Sequence, residues 1–163
     1  MSNSSYGTVP HLIMISDITR AYIADMTLMD VYYHPITVQS PSGSWAPTFE
    51  NLHIIDAGEQ FIKVNTAEPP TSYCDSGVVR NCVFEFTDRA RHWYTNGVDI
   101  LATDGWIIEN NSFMRIRGPE GVLAGPAVLA WQNSINTIVR NNVFIDCDIA
   151  ISMGNSAGPG TIA

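Results

Sequence analysis

Val78-Val79-Arg80-Asn81-Cys82-Val83-Phe84 returns as Ile107-Ile108-Glu109-Asn110-Asn111-Ser112-Phe113, and again as Ile138-Val139-Arg140-Asn141-Asn142-Val143-Phe144. The shared pattern is two aliphatics, a charge, Asn, two variable residues and Phe. Weaker copies precede it, Ile23-Ala24-Asp25-Met26-Thr27-Leu28 and Phe49-Glu50-Asn51-Leu52-His53-Ile54. The anchor positions 25, 51, 81, 110 and 141 are 26, 30, 29 and 31 residues apart. Self-similarity at such a period is the mark of a repeat architecture, in which no unit buries its apolar face alone.

A second β-like run follows each anchor. These runs are Pro35-Ile36-Thr37-Val38-Gln39, Phe61-Ile62-Lys63-Val64-Asn65, Gly97-Val98-Asp99-Ile100-Leu101, Ala127-Val128-Leu129-Ala130-Trp131 and Ala150-Ile151-Ser152-Met153-Gly154. Their apolar residues alternate with period two, as a strand with one buried face requires. His11-Leu12-Ile13-Met14-Ile15 reads as the remnant of one more coil, and no stretch has a helical period. An antiparallel sandwich would need tight hairpins. The two turn dipeptides present, Asn96-Gly97 and Asp104-Gly105, are not followed by a return strand of matching pattern. The expected fold is all-β, a right-handed parallel β-helix of about five to six coils stacked at roughly 4.8 Å per coil. One such domain is expected over residues 1–163, truncated at its C-terminus. Asn51, Asn81, Asn110 and Asn141 are assigned to the sharp bend between strands, since Asn tolerates left-handed backbone geometry.

Composition agrees with a packed core: 45% of residues are hydrophobic and 15% charged. The net charge of −8 repels phosphate backbones and argues against nucleic acid, leaving cations, neutral glycans and basic proteins as partners. No apolar run approaches the roughly 20 residues of a membrane-spanning helix. The first seven residues lack the basic and apolar regions of a signal peptide, so the protein either stays in the cell or belongs to a longer secreted precursor. Cys74, Cys82 and Cys147 are odd in number and lack metal-ligand spacing. Buried free thiols are expected, with a Cys74–Cys82 pair as the alternative. Neither the histidines (His11, His34, His53) nor the acidic-Gly segments near Gly58 and Gly121 have the spacing of a zinc or calcium site, and no metal is assigned.

The segments around 96–113 and 127–131, and Asn136-Thr137-Ile138-Val139-Arg140-Asn141-Asn142-Val143-Phe144 with Asp146-Cys147-Asp148 after it, resemble bacterial right-handed parallel β-helix repeat proteins of the pectate-lyase-like superfamily. The resemblance runs from about residue 50 to 154. It implies the fold, and a chemistry drawn from lyases, hydrolases, epimerases, surface proteins or phage spikes. Such proteins are usually longer. Residues 158–163 supply no evident cap, so the chain is expected to be a fragment or a protein whose open coil end is covered by a second copy.

If the aliphatics of the second run face inward, Thr37, Lys63, Asp99, Leu129 and Ser152 form an outward column, with Gln39, Asn65, Leu101, Trp131 and Gly154 beside it. Lys63 next to Asp99 supplies a cation and an acid. A polysaccharide lyase uses such a basic group to take the proton α to a uronate carboxylate, often with bound Ca²⁺ neutralising the substrate. The same pair also reads as a cross-strand ion pair worth ~0.2–1 kcal/mol. The two carboxylates of a glycoside hydrolase are not found on this column; Asp99 and Asp104 are the nearest candidates. The loop holding Arg91, His92, Trp93 and Tyr94, together with Trp131 and Asn65, offers rings to stack on sugars and a guanidinium for carboxylates. Alternatively it packs its rings over strand ends. The Pro-, Ser- and Thr-rich stretches 40–48 and 66–76 read as surface excursions. The leading functional reading is a non-catalytic β-helix module associated with polysaccharide. Its competitors are a lyase or hydrolase acting on an acidic glycan, and an assembly module.

Overall fold

Left-handed residues recur at fixed places along the chain and turn its strands into coils. The computed structural model describes residues 8–40, 43–66 and 74–154. In chain order the strands are β1 (His11–Ile15), β2 (Tyr22–Val31), β3 (His34–Ser40), β4 (Ser44–Trp45), β5 (Thr48–Ala57), β6 (Ile62–Thr66), β7 (Cys74–Asp75), β8 (Val78–Arg80), β9 (Val83–Glu85), β10 (Val98–Leu101), β11 (Ile107–Glu109), β12 (Ser112–Met114), β13 (Val128–Trp131), β14 (Ile138–Arg140), β15 (Val143–Ile145) and β16 (Ile151–Met153). Asp25, Asn51, Asn81, Asn110 and Asn141 have φ of 58°, 52°, 56°, 57° and 56°. A side chain there must avoid clashing with the following carbonyl, which Asn and Asp do at least cost. In β2 and β5 the ladder runs through this bend. In the later coils it breaks the strand into the pairs β8/β9, β11/β12 and β14/β15.

Every strand pairing is parallel. One sheet has the order β1-β3-β6-β10-β13-β16, and the second collects the eight strands that flank the Asn bend. Each strand pairs with its counterpart one coil away, so the chain is a parallel β-solenoid of about 4 turns. A further bend is made by Arg20, Ala46, Ser76, Gly105 and Asn136, all at positive φ. It flanks a small third wall, where β4 pairs with β7 and single bridges join Thr19 to Trp45 and Asp104 to Ile135.

For residues 44 and 74–75 this third wall corrects the reading of 40–48 and 66–76 as surface excursions. Ser44, Cys74 and Asp75 are buried, and the Trp106 indole donates to the Cys74 carbonyl at 2.5 Å. Residues 41–42 and 67–73 of those stretches lie outside the described residues, as do the N-terminal seven and 155–163.

The core is a set of stacked columns. Val79 and Ile108 line one, Ile36, Ile62, Val98 and Val128 another, and Val38, Val64, Ile100 and Ala130 a third. Phe84, Phe113 and Phe144 stack face to face at 4.9 and 5.2 Å, as the repeated Phe of the pattern requires. Inside the bend, Asn111 Oδ1 accepts from Cys82 N at 2.9 Å, while Asn142 Oδ1 accepts from Asn111 N at 2.9 Å. Their amides donate to the Val79 and Ile108 carbonyls. These residues occupy the positions that looked variable. They satisfy backbone groups that the bend removes from the sheet ladder. All three cysteines are free; burial pushes the Cys74 thiol up to about 12 and the Cys82 thiol up to about 11.

Candidate functional site

The outer face of the six-stranded sheet carries Met14, Thr37, Lys63, Asp99, Leu129 and Ser152 in one register column. Its middle is not open to water: Thr37, Lys63, Asp99 and Leu129 are 1%, 4%, 1% and 7% exposed. The column has the outward register expected of it, but its middle is covered. Trp131 and the segment between β9 and β10 screen it. That segment is tied down along its length: Gln60 Nε2 donates to the Tyr94 carbonyl at 2.6 Å, and Phe61 N donates to the Asn96 carbonyl at 3.1 Å. Gly125 N donates to the carbonyls of Trp93 and Thr95 at 3.1 and 2.9 Å. Gly125 packs closely on Asn96: a Cβ there would stand 3.0 Å from the Asn96 side chain, which would have to shift to admit it.

Lys63 Nζ and Asp99 Oδ2 are 2.8 Å apart, with side chains 5% and 1% exposed. The carboxylate is fully engaged. Its Oδ1 accepts from Trp131 Nε1 at 2.9 Å, and its Oδ2 also accepts from Asn96 Nδ2 at 3.4 Å. The Lys63 ammonium lies 5.5 Å from the centre of the Trp131 ring, so the cation faces the indole whose N–H the anion holds. Lys63, Asp99, Trp131 and Asn96 therefore form one buried network, and its geometric consequence is a fixed indole.

Around this network the loop lays out rings. His92 and Tyr94 are parallel at 6.3 Å, Trp93 meets Tyr94 edge-on at 5.5 Å, and Trp93 is 43% exposed. His92 Nδ1 accepts from Tyr94 N at 3.1 Å, and its carbonyl accepts from Thr95 Oγ1 at 2.8 Å, which pins the turn. The Arg91 guanidinium sits 4.4 Å over the Tyr32 ring and donates to the Tyr32 carbonyl at 3.4 Å. Asn65, in register with Gln39, lies further along β6, and among the described residues no side-chain hydrogen bond joins it to this cluster.

Burial sets the charge states nearby. Burial, His11 and the Lys63 ammonium push His34 down to about 4, although the Glu59 carboxylate stands 3.6 Å from its Nε2. Burial raises the Glu59 carboxyl, against the pull of Lys63 and Arg91. Burial lowers His92, helped by Arg91, and raises the Tyr94 hydroxyl, helped by Asp99 and Glu59. Five buried polar atoms on this side of the molecule have no hydrogen-bond partner among the described residues: His11 Nδ1, His34 Nδ1, Thr37 Oγ1, Gln60 Oε1 and Asn96 Oδ1. Sequence reasoning missed Gln60 and Asn96. Their only signals were a Gln and an Asn placed three residues before Lys63 and Asp99, respectively.

Elsewhere the chemistry is thinner. Asp104 lies at a bend and accepts from Asn136 Nδ2 at 2.7 Å. An open groove of about 380 Å³ along the Asn bend is lined by Asp25, Asn51, His53 and Asn81 among others, with no aromatic ring beyond His53. Among the described residues no three His, Cys, Asp or Glu side chains group to hold a metal ion, and no helix is long and apolar enough to cross a membrane. Searches of protein-family models, curated proteins and solved structures found no match to this chain. The fold is a parallel β-solenoid. That statement rests on the chain's own register and extends to no family.

Proposed function

We propose that this chain is a non-catalytic β-solenoid module that binds polysaccharide on the outer face of its six-stranded sheet. The observation that carries this reading is the exposed Trp93, set edge-on to a Tyr94 ring that lies parallel to His92, on a loop anchored over the Lys63–Asp99–Trp131 network. Sugar recognition by stacking needs amphipathic rings held rigid before the ligand arrives. In this reading Lys63 and Asp99 are positioning residues: they orient Trp131, and Arg91, His92 and Asn65 form the rim. A lyase would instead need the Lys63 amine presented to a substrate carbon, with Ca²⁺ assisting, and a hydrolase would need a second carboxylate facing Asp99. The resemblance of the repeats to pectate-lyase-like β-helices supports a carbohydrate ligand. The usual hand of parallel crossovers supports right-handed coils.

The test is affinity electrophoresis against a polysaccharide panel, run beside an ultraviolet assay for unsaturated ends with and without Ca²⁺. Retention by a glycan that Trp93→Ala weakens about tenfold or more, with no unsaturated product, is the expected result. Product formation abolished by Lys63→Ala would establish the lyase instead.

A second reading is self-association through the last described rung. Ile151 and Met153 continue inward columns yet are 42% and 52% exposed, and β14, β15 and β16 are sheet edges. A second copy would cover them as each interior rung covers the next. Sedimentation at rising concentration decides it, and a strictly monomeric species removes this reading.

A further inference from the structure

We infer that the stacked His11 and His34 rings form an acid-sensitive latch: neutral, they hold β1 on the solenoid, and protonated, they release it and bare the edge of β3. β1 is held by little else. It is the edge of the six-stranded sheet, paired with β3 alone in a register that sets His11 beside His34 and Ile15 beside Val38. Within it Ile15 is the one buried side chain, while Leu12 and Met14 are 42% and 65% exposed. An element that buries so little can open while the rest of the molecule stays folded. At its start the two imidazoles lie 5.3 Å apart and 25° from parallel, and the Tyr33 ring stands 5.9 Å from His11.

The packing accepts neutral rings and penalises charged ones. Nδ1 of each imidazole is buried without a partner. A neutral ring can leave a bare lone pair there. An imidazolium carries a proton on both nitrogens, so its Nδ1–H becomes a buried donor without an acceptor, the costlier state. Charges on three elements face His34: His11 on β1, Lys63 on β6, and Glu59 in the segment between β5 and β6. Burial, His11 and the Lys63 ammonium all oppose a charge on the ring, and only the Gln60 backbone favours one among these named influences. Glu59 stands 3.6 Å from His34 Nε2 and is placed to meet an imidazolium. Burial raises that carboxyl, however, so Glu59 loses its own charge as acidification approaches the range where His34 would gain one. Once β1 leaves, His34 meets water and returns toward its ordinary 6.5 from about 4. The open form therefore binds a proton that the closed form refuses, and β1 opens as pH falls below about 6.5.

The experiment is hydrogen exchange of the full chain from about pH 7 to about pH 5, corrected for the intrinsic pH dependence of amide exchange. The reporters are the β1 amides and the N–H groups of Tyr32 and Tyr33, which the Val9 and Pro10 carbonyls accept at 2.9 and 3.1 Å. Their protection is expected to fall about tenfold or more across that range, as uptake of one proton by the open form requires. The amides of β10 and β13, in the middle of the same sheet, are expected to keep theirs. His34→Gln is expected to make β1 protection independent of pH. If Gln loosens β1 already at about pH 7, His34→Leu repeats the comparison without a buried amide. Protection of β1 that ignores pH in the wild-type chain overturns the inference. So does loss at β1, β10 and β13 together, which is global unfolding, or a pH response that survives both substitutions, which belongs to other groups.

Discussion

Two charged columns run along this solenoid on different walls, built to opposite designs. On the wall before the Asn bend, Glu50, Arg80, Glu109 and Arg140 stand in register, alternating in sign from coil to coil. Their bonds are short, 2.8 Å for Arg80–Glu50 and 2.7 Å for Arg140–Glu109, but the arginines are 42% and 56% exposed. On the six-stranded sheet the comparable pair among the described residues, Lys63–Asp99, is sealed under Trp131 and the ring-bearing loop. Exposed alternation favours the correct coil register at small cost, since like charges would face each other one coil out of step. A buried pair pays desolvation for both ions and stabilises little in return. A solenoid wall has no structural need of that cost, because Ile–Val pairs stack as well. Under the proposed binding reading, that pair serves instead to hold the Trp131 indole in place.

The largest effect expected from this contrast is at Lys63. Lys63→Met leaves Asp99 buried with only the Trp131 and Asn96 donors, and should lower unfolding free energy by ~3–5 kcal/mol in urea titrations. The double variant Lys63→Met/Asp99→Leu should recover most of that loss while leaving glycan binding impaired, because the Trp131 indole loses its acceptor. A single-variant cost under ~1 kcal/mol would show the pair to be as hydrated as the exposed column, and the contrast would collapse.

A smaller effect is expected from pH. His34 titrates near 4 in the folded chain against 6.5 when unexposed to the fold. Between these values the unfolded chain binds a proton that the native chain refuses. Stability is therefore fully present above about pH 6.5, falls as pH drops toward 4 by up to about 3 kcal/mol, and stops falling from this source below that. Glu59 acts in the opposite sense, because its raised carboxyl takes up a proton earlier in the native state. His34→Gln should flatten the slope of urea stability between pH 6.5 and 4; a slope unchanged by that substitution would assign the loss to other groups.

The fold was legible because one of its left-handed bends falls on Asn in four coils and on Asp25 in another. Asn51, Asn81, Asn110 and Asn141 mark the bend, and the period follows from them. The third wall was hidden for the converse reason. Its left-handed residues are Arg20, Ala46, Ser76, Gly105 and Asn136, five residue types that share no pattern, and a single such residue costs little enough for neighbouring packing to absorb. Lys63 beside Asp99 could be read directly, since the inward aliphatics set the register and the outward neighbours follow. The burial of that pair could not. It depends on Gln60 meeting Tyr94 and Trp131 meeting Asp99 across 30 or more residues, with Asn96 bonding Asp99 locally, through side-chain bonds that no periodicity encodes. Asn111 and Asn142 were passed over as variable because Cys82, at the equivalent place, takes part through its backbone N–H.

The smallest expected effect lies at the end of the exposed column. Arg140 places Nε and a terminal nitrogen each 2.7 Å from one oxygen of Glu109, Oε2, on the last described rung of its wall. The guanidinium is 56% exposed, so water competes for every bond it makes. Arg140→Gln should therefore cost less than ~1 kcal/mol at low ionic strength. The loss should shrink toward zero near 1 M salt, where the screening length is only about 3 Å. The Lys63→Met cost, measured in the same salt series, should barely move, because no ion atmosphere penetrates a pair 5% and 1% exposed. If both costs decline together with salt, the two columns share one electrostatic environment, and the loop over Lys63 opens often enough to admit ions. The exposed rings would then be a mobile cover rather than a rigid platform, and glycan affinity should rise when the loop is stiffened, not when Trp131 is fixed.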